Sequence, residues 1–153
     1  MKKVLVLLVM VLAFNLSNAQ WKTQFYVDDF GEKTNESYQF FVANGTFSNS
    51  ATQNSKALYK FVKGSDYVEL SVFEYASRLA TDTENTFEVV RLKTPSGVVT
   101  FDKIFFWKKG KLLFNEADFN KLSDALSQSG DFIMIFKRSG SYSESSYKIE
   151  FSM

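Results

Sequence analysis

From Trp21 to Ser152 the apolar positions fall in short runs, several alternating with polar ones, and turn residues separate the runs at close intervals. "WKTQFYVDDF" opens as a strand, "FGEKTNES" is a turn built on Gly31, and "YQFFVA" is a second strand ending at Asn44-Gly45. "KALYKFVK" and "YVELSVFEY" flank Gly64-Ser65-Asp66, a hairpin signal with Gly and Asp where positive φ is expected. "TFEVVRLK" and "GVVTFDKIFFWK" flank Thr94-Pro95-Ser96-Gly97, with Pro and Gly placed for a tight turn. "KKGK" then turns the chain into "KLLF". Turns this close together predict an antiparallel meander and not strand–helix–strand crossovers.

One segment changes period. In "EADFNKLSDALSQS" the residues Phe119, Leu122, Ala125 and Leu126 recur at three and four, the stripe of an amphipathic helix. Asn115 can cap it, Asp118 lies beside its positive end, and Ser129-Gly130 supplies the stop. "DFIMIFK" follows, apolar on both faces, and reads as a central strand. "SYKIEFS" alternates, with Tyr147, Ile149 and Phe151 inward and Lys148 and Glu150 outward. The expectation is a mainly β fold: an antiparallel β-sandwich or partly closed barrel with one α-helix near the C-terminus.

Composition sharpens this. Seventeen Phe, seven Tyr and two Trp against one Pro favour strands, because aromatic side chains suit a pleated, half-buried surface. The first twenty residues obey a different rule. Lys2 and Lys3 precede an apolar stretch from Val4 to Phe14, and Ser17-Asn18-Ala19 ends it with small residues. That is the form of a secretory signal peptide over 1–19, and the apolar run falls short of the roughly 20 residues of a spanning helix. Cleavage after Ala19 would leave 20–153, one β-rich domain that is secreted or periplasmic and has no integral membrane segment. Without Lys2 and Lys3 the formal charge passes from +1 to −1, which removes the long-range field of a general nucleic-acid binder.

The chain has no His and no Cys, so Ser-His-Asp and Cys-His mechanisms are excluded, with the usual zinc and copper ligand sets. No glycine-rich phosphate cradle is present, and no cofactor is expected. What remains is carboxylate, hydroxyl and lysine chemistry. Asp28, Asp29 and Glu32 form the densest acidic stretch; they read as a solvated strand end and turn, or alternatively as oxygen ligands for calcium. Asp82 to Asn85 offer a second, weaker acidic loop. Lys108, Lys109 and Lys111 around Gly110 read as a soluble hairpin tip that blunts edge pairing, with a small anion or lipopolysaccharide contact as the alternative. Phe101, Phe105 and Trp107 share one strand face and read as core. Asn35 and Asn44 fit glycosylation sequons, which matter only in a host that modifies them.

"GTFSNSAT", Gly45 to Thr52, poses the sharpest choice between turn and recognition loop. The turn reading puts Phe47 at the core edge and gives Gly45 a backbone conformation that other residues resist. Ser48, Asn49, Ser50 and Thr52 would then bond nearby backbone. With "YVDDF-G" and "LSDALSQSGDFIMIFK", this segment resembles a group of small bacterial secreted β-rich proteins. The late helix–strand pair is similar to the invasion-associated locus B type of periplasmic β-sandwich, without the cysteines of that type. The resemblance implies export and a β-rich fold and brings no activity or site residue with it. The function expected is a non-catalytic binding or interaction module of the periplasm or cell surface, its partner a protein or glycan of the envelope. Its contact loops would bring Asp28, Asp29 and Glu32 together with Ser48, Asn49 and Ser50 at one end of the sheets. A lipocalin-like carrier of an apolar ligand is the alternative, and a carboxylate-dependent hydrolase the third reading.

Overall fold

The computed structural model describes residues 19–65, 67–80, 87–108, 111–114, 116–139 and 144–153. Outside them lie the expected signal peptide before Ala19, Asp66, the expected Asp82–Asn85 loop, Lys109, Gly110 and the expected cap Asn115; the side chains of Phe105, Trp107 and Lys108 are outside as well. The strands are β1 (Lys22–Val27), β2 (Lys33–Ser48), β3 (Ser55–Lys63), β4 (Val68–Glu74), β5 (Arg78–Leu79), β6 (Phe87–Thr94), β7 (Gly97–Lys108), β8 (Lys111–Phe114), β9 (Asp131–Ser139) and β10 (Glu144–Ser152). The helix α1 (Glu116–Ala125) lies between β8 and β9.

All ten strands among the described residues belong to one antiparallel sheet. Sequential hairpins join β1 to β2, β2 to β3, β3 to β4, β6 to β7, β7 to β8 and β9 to β10. The order is not a simple meander, because β4 pairs with β8, β6 with β9, and β10 with β2. β2 is therefore bonded along both edges, to β3 through 39–47 and to β10 through 45–48. The path of pairings leaves β2 through β10 and returns through β3, so the sheet curls upon itself. Its joints are short where β10 meets β2 and where β8 meets β4 and β7. This is the expected antiparallel architecture, between sandwich and partly closed barrel.

The alternation of side chains along a strand decides what fills the inside. Phe41, Phe47, Tyr59, Phe61, Phe101, Phe132, Phe136, Tyr147 and Phe151 are all buried. Towards one end Phe41 stacks on Phe61 at 4.5 Å and Phe132 on Phe151 at 5.1 Å; towards the other Phe136 stacks on Tyr147 at 4.8 Å. Such pairs add about 0.5–1.5 kcal/mol each beyond their buried area. α1 crosses the first end: Leu122, Ala125 and, just past the helix, Leu126 are buried, with Phe119 packed beside them. Lys63 at the close of β3 donates to Ser123, and Lys121 donates to the Thr100 carbonyl.

The glycines among the described residues divide into two kinds. Gly31, Gly97 and Gly130 take positive φ of 83°, 146° and 131°, as the turn and stop signals predict. Gly45 and Gly64 do not, against expectation. A β-carbon on Gly64 would overlap the Tyr67 ring. One on Gly45 would overlap the Lys148 carbonyl oxygen and stand 2.7 Å from the Tyr59 ring. Gly45 is needed for close approach between strands, and β2 runs through it to Ser48 instead of ending there. A second correction concerns "DFIMIFK". Phe132, Met134 and Phe136 point in, but Ile133 is half-buried and Ile135 is 43% exposed, so the strand has an outer face.

Phe47→Ala should destabilise the domain by roughly 3 kcal/mol, the low end for a buried phenylalanine. Gly45→Ala, which removes no contact at all, should cost about 3 kcal/mol, the upper end for overpacking. Denaturant unfolding of both variants checks this; a neutral Gly45→Ala would show that β10 and β2 have room to separate.

Candidate functional site

The six residues singled out in the sequence fall into two groups. Asp28, Asp29 and Glu32 sit at the tip of the β1–β2 hairpin. There the Asp28 carboxylate accepts from the backbone N–H of Phe30 and of Glu32, both at 2.9 Å, and Gly31 N–H donates to the Asp28 carbonyl. The acidic stretch thus closes its own turn. Ser48, Asn49 and Ser50 lie at the far end of β2, about 50 Å along the strand at about 3.3 Å per residue. The two groups do not meet, because β2 continues as a strand through Gly45.

At that far end the turn chemistry holds for most of the polar side chains. Asn49 Oδ1 accepts from Ala51 and Thr52 N–H at 2.9 and 3.0 Å, Ser48 Oγ accepts from Asn54 N–H at 2.9 Å, and the Thr52 and Ser55 hydroxyls bond each other. Ser50 is exposed and makes no hydrogen bond among the described residues, contrary to the turn reading. Phe47 is pinned between an edge-on Tyr75 at 4.9 Å and a stacked Tyr147 at 6.3 Å. Tyr75 and Ala76 hold φ of 53° and 61° in the turn after Glu74, a conformation that bulky residues rarely adopt.

The more developed surface lies beside this loop, on the outer face of β6, β9, β10 and β2. Strand register brings Arg91 opposite Ile135, Ile135 opposite Lys148, and Lys148 opposite Thr46. The adjacent row sets Lys137 opposite Ser146 and Ser146 opposite Ser48. Opposed residues in antiparallel strands point to one side, so these seven side chains share one face. They line a groove of about 710 Å³ that includes Asn54, and a polar depression of about 300 Å³ with Asn49, Gln53 and Glu144 adjoins it through Ser48, Asn54 and Ser146.

The groove is basic and partly apolar. Lys137 pairs with Glu144 at 2.8 Å and Lys148 with Glu150 at 2.5 Å, both exposed; such pairs are worth little in water and open readily. Arg91 is exposed and has no carboxylate partner among the described residues. Three cations thus stand against two carboxylates, with hydroxyls and amides along the sides and Ile135 on the floor. Glu144 and Glu150 lie six residues apart on β10, roughly 20 Å, beyond the span of a glycosidase pair. Sequence reasoning missed Arg91, Ile135 and Lys137 because register, which aligns distant strands, is not written in any one of them.

Beneath the groove lies a polar interior that the sequence also conceals. Tyr147 donates to Glu74 at 2.9 Å in a buried contact, and Tyr59 donates to the Thr46 carbonyl at 2.6 Å. Burial drives the Tyr59 phenol far above its ordinary value, and neighbouring Tyr147 adds to the rise.

Family models, characterised proteins and solved structures were all compared with the chain, and none matches.

The Tyr59 shift has a definite sign. An acid held protonated in the fold, with an unfolded value near 10, contributes stability that is fully present below pH ~10 and is lost above it. Unfolding free energy should therefore fall with pH above ~10, at up to about 1.4 kcal/mol per unit from this group. Tyr59→Phe should lower stability at neutral pH by about 1 kcal/mol and flatten the alkaline slope. Urea unfolding at stepped pH measures both; an unchanged slope in Tyr59→Phe would contradict the assignment.

Proposed function

We propose that this protein is an exported binding module of the bacterial envelope, and that the outer groove over β9 and β10 is its contact face. The observation that carries this reading is the exposed Ile135, set between Arg91 and Lys148 on a surface ringed with hydroxyls. A side chain so apolar, on a concave and charged face, suits a ligand that covers it. The signal-like start and the resemblance to secreted β-rich proteins support export. The aromatic interior supports the module over the carrier reading, since the inward positions are occupied by packed rings.

The surface fits an anionic envelope glycan or an acidic protein segment: carboxylates would meet Arg91, Lys137 and Lys148 while an apolar patch covers Ile135. Charge-assisted hydrogen bonds of this kind are worth about 1.5–3 kcal/mol each. Titration of acidic polysaccharide from the host envelope into the protein should give saturable, salt-sensitive binding. Arg91→Ala should weaken it by about tenfold or more, which is about 1.4 kcal/mol, with thermal stability unchanged because Arg91 is exposed. If Arg91→Ala and Ile135→Ser both bind like the parent protein, the groove is not the contact face.

A further inference from the structure

β1 presents an edge of a kind that soluble proteins seldom leave open. All six of its residues are exposed, and among the described residues it pairs with β2 alone. Edge strands are normally blunted by proline, by bulges or by several charges. β1 carries no proline and one charge, Lys22, and its register irregularity against β2 falls where β2, not β1, carries the extra residues. Instead Phe25, Tyr26 and Val27 are exposed along it, and Phe30 at the hairpin tip is 91% exposed.

The direction of the free groups can be read from one contact. The Thr34 hydroxyl on β2 donates to the Tyr26 carbonyl at 3.2 Å, so Tyr26 turns its backbone towards β2. Strand alternation then turns the N–H and C=O groups of Thr23, Phe25 and Val27 to the open edge. The charges are arranged end to end, with Lys22 opening the strand and Asp28 and Asp29 following it.

We infer that β1 is a self-association edge, at which a second copy of this chain adds antiparallel about a two-fold axis. The axis passes through Phe25, setting Phe25 opposite its counterpart, Thr23 opposite Val27, and Lys22 opposite Asp28. A two-fold axis normal to the sheet keeps each face on its own side, so opposed positions must sum to an even number, and this register satisfies that. It is also the register in which the three outward-facing residues bond one another. Antiparallel addition brings Lys22 of each copy to the acidic pair of the other, twice over. Parallel addition would set lysine against lysine and aspartate against aspartate, which is unfavourable. An isologous contact of this kind closes at two copies, and it uses no residue of the groove.

Sedimentation equilibrium on the purified protein tests this. The parent chain should form a dimer in the micromolar range, weakened by salt. Lys22→Glu makes both contacts repulsive, as does the pair Asp28→Asn with Asp29→Lys, in which asparagine keeps the oxygen that closes the turn. Each variant alone should dimerise about tenfold or more less tightly. Mixed in equal amounts, the two should dimerise again, since both contacts are then attractive. Thr23→Pro, which removes a donor from the open edge and none from the β1–β2 ladder, should abolish the dimer. A parent protein that stays monomeric overturns the inference; so does a dimer indifferent to Thr23→Pro, and so does a mixture that fails to restore it.

Discussion

The fold depends on one place where two strands come closer than a side chain allows and a third lays a ring over the gap. At Gly45, β2 lies between β10 and β3, with the Lys148 carbonyl on one side and the Tyr59 ring where a side chain would otherwise stand. The ring lies diagonally across from the glycine, covers it, and secures itself by donating to the Thr46 carbonyl. An aromatic laid over a strand glycine restores the packing that the missing side chain would have supplied. The contact lies where β2 is bonded on both edges at once, at the joint through which the sheet returns on itself.

That curvature sorts the chemistry of the molecule. The inward positions are taken by aromatic rings, and polar contacts among them, such as Tyr147 with Glu74 and Tyr59 with Thr46, are internal pairings that satisfy buried groups. Reactive or recognising groups are displaced to the outside. There, the same β10 that closes against Gly45 presents Ser146 and Lys148 to the groove, one residue out of phase with the buried Tyr147 and Ile149. The packed interior and the groove are two faces of one strand.

How much of this the chain reveals follows from range. Local signals are legible: the alternation of "SYKIEFS", the stripe of α1, and the positive φ at Gly31, Gly97 and Gly130 all appear where the residues place them. Gly45 was misread because a glycine beside asparagine looks like a turn, whereas its reason lies in Lys148 and Tyr59, distant in sequence. Ile135 was misread for a related cause. An unbroken apolar run looks buried on both faces, and only the neighbours of β9 show that its outer face is open. The candidate site was half legible. Ser48 and Asn49 border it, but Asp28, Asp29 and Glu32 belong to the opposite end of β2, and the basic residues of the groove meet only through register.

Native-state hydrogen exchange resolved along β2 tests the account most directly, because strand amides bonded deep within the sheet open only with the whole domain. The amides of residues 41–47 that bond within the sheet should exchange at the rate of global unfolding, while those of 33–38, which pair only with exposed β1, should exchange far sooner by local opening. Uniform protection along β2, or early exchange around Gly45, would contradict the claim that the close approach at Gly45 holds the sheet together.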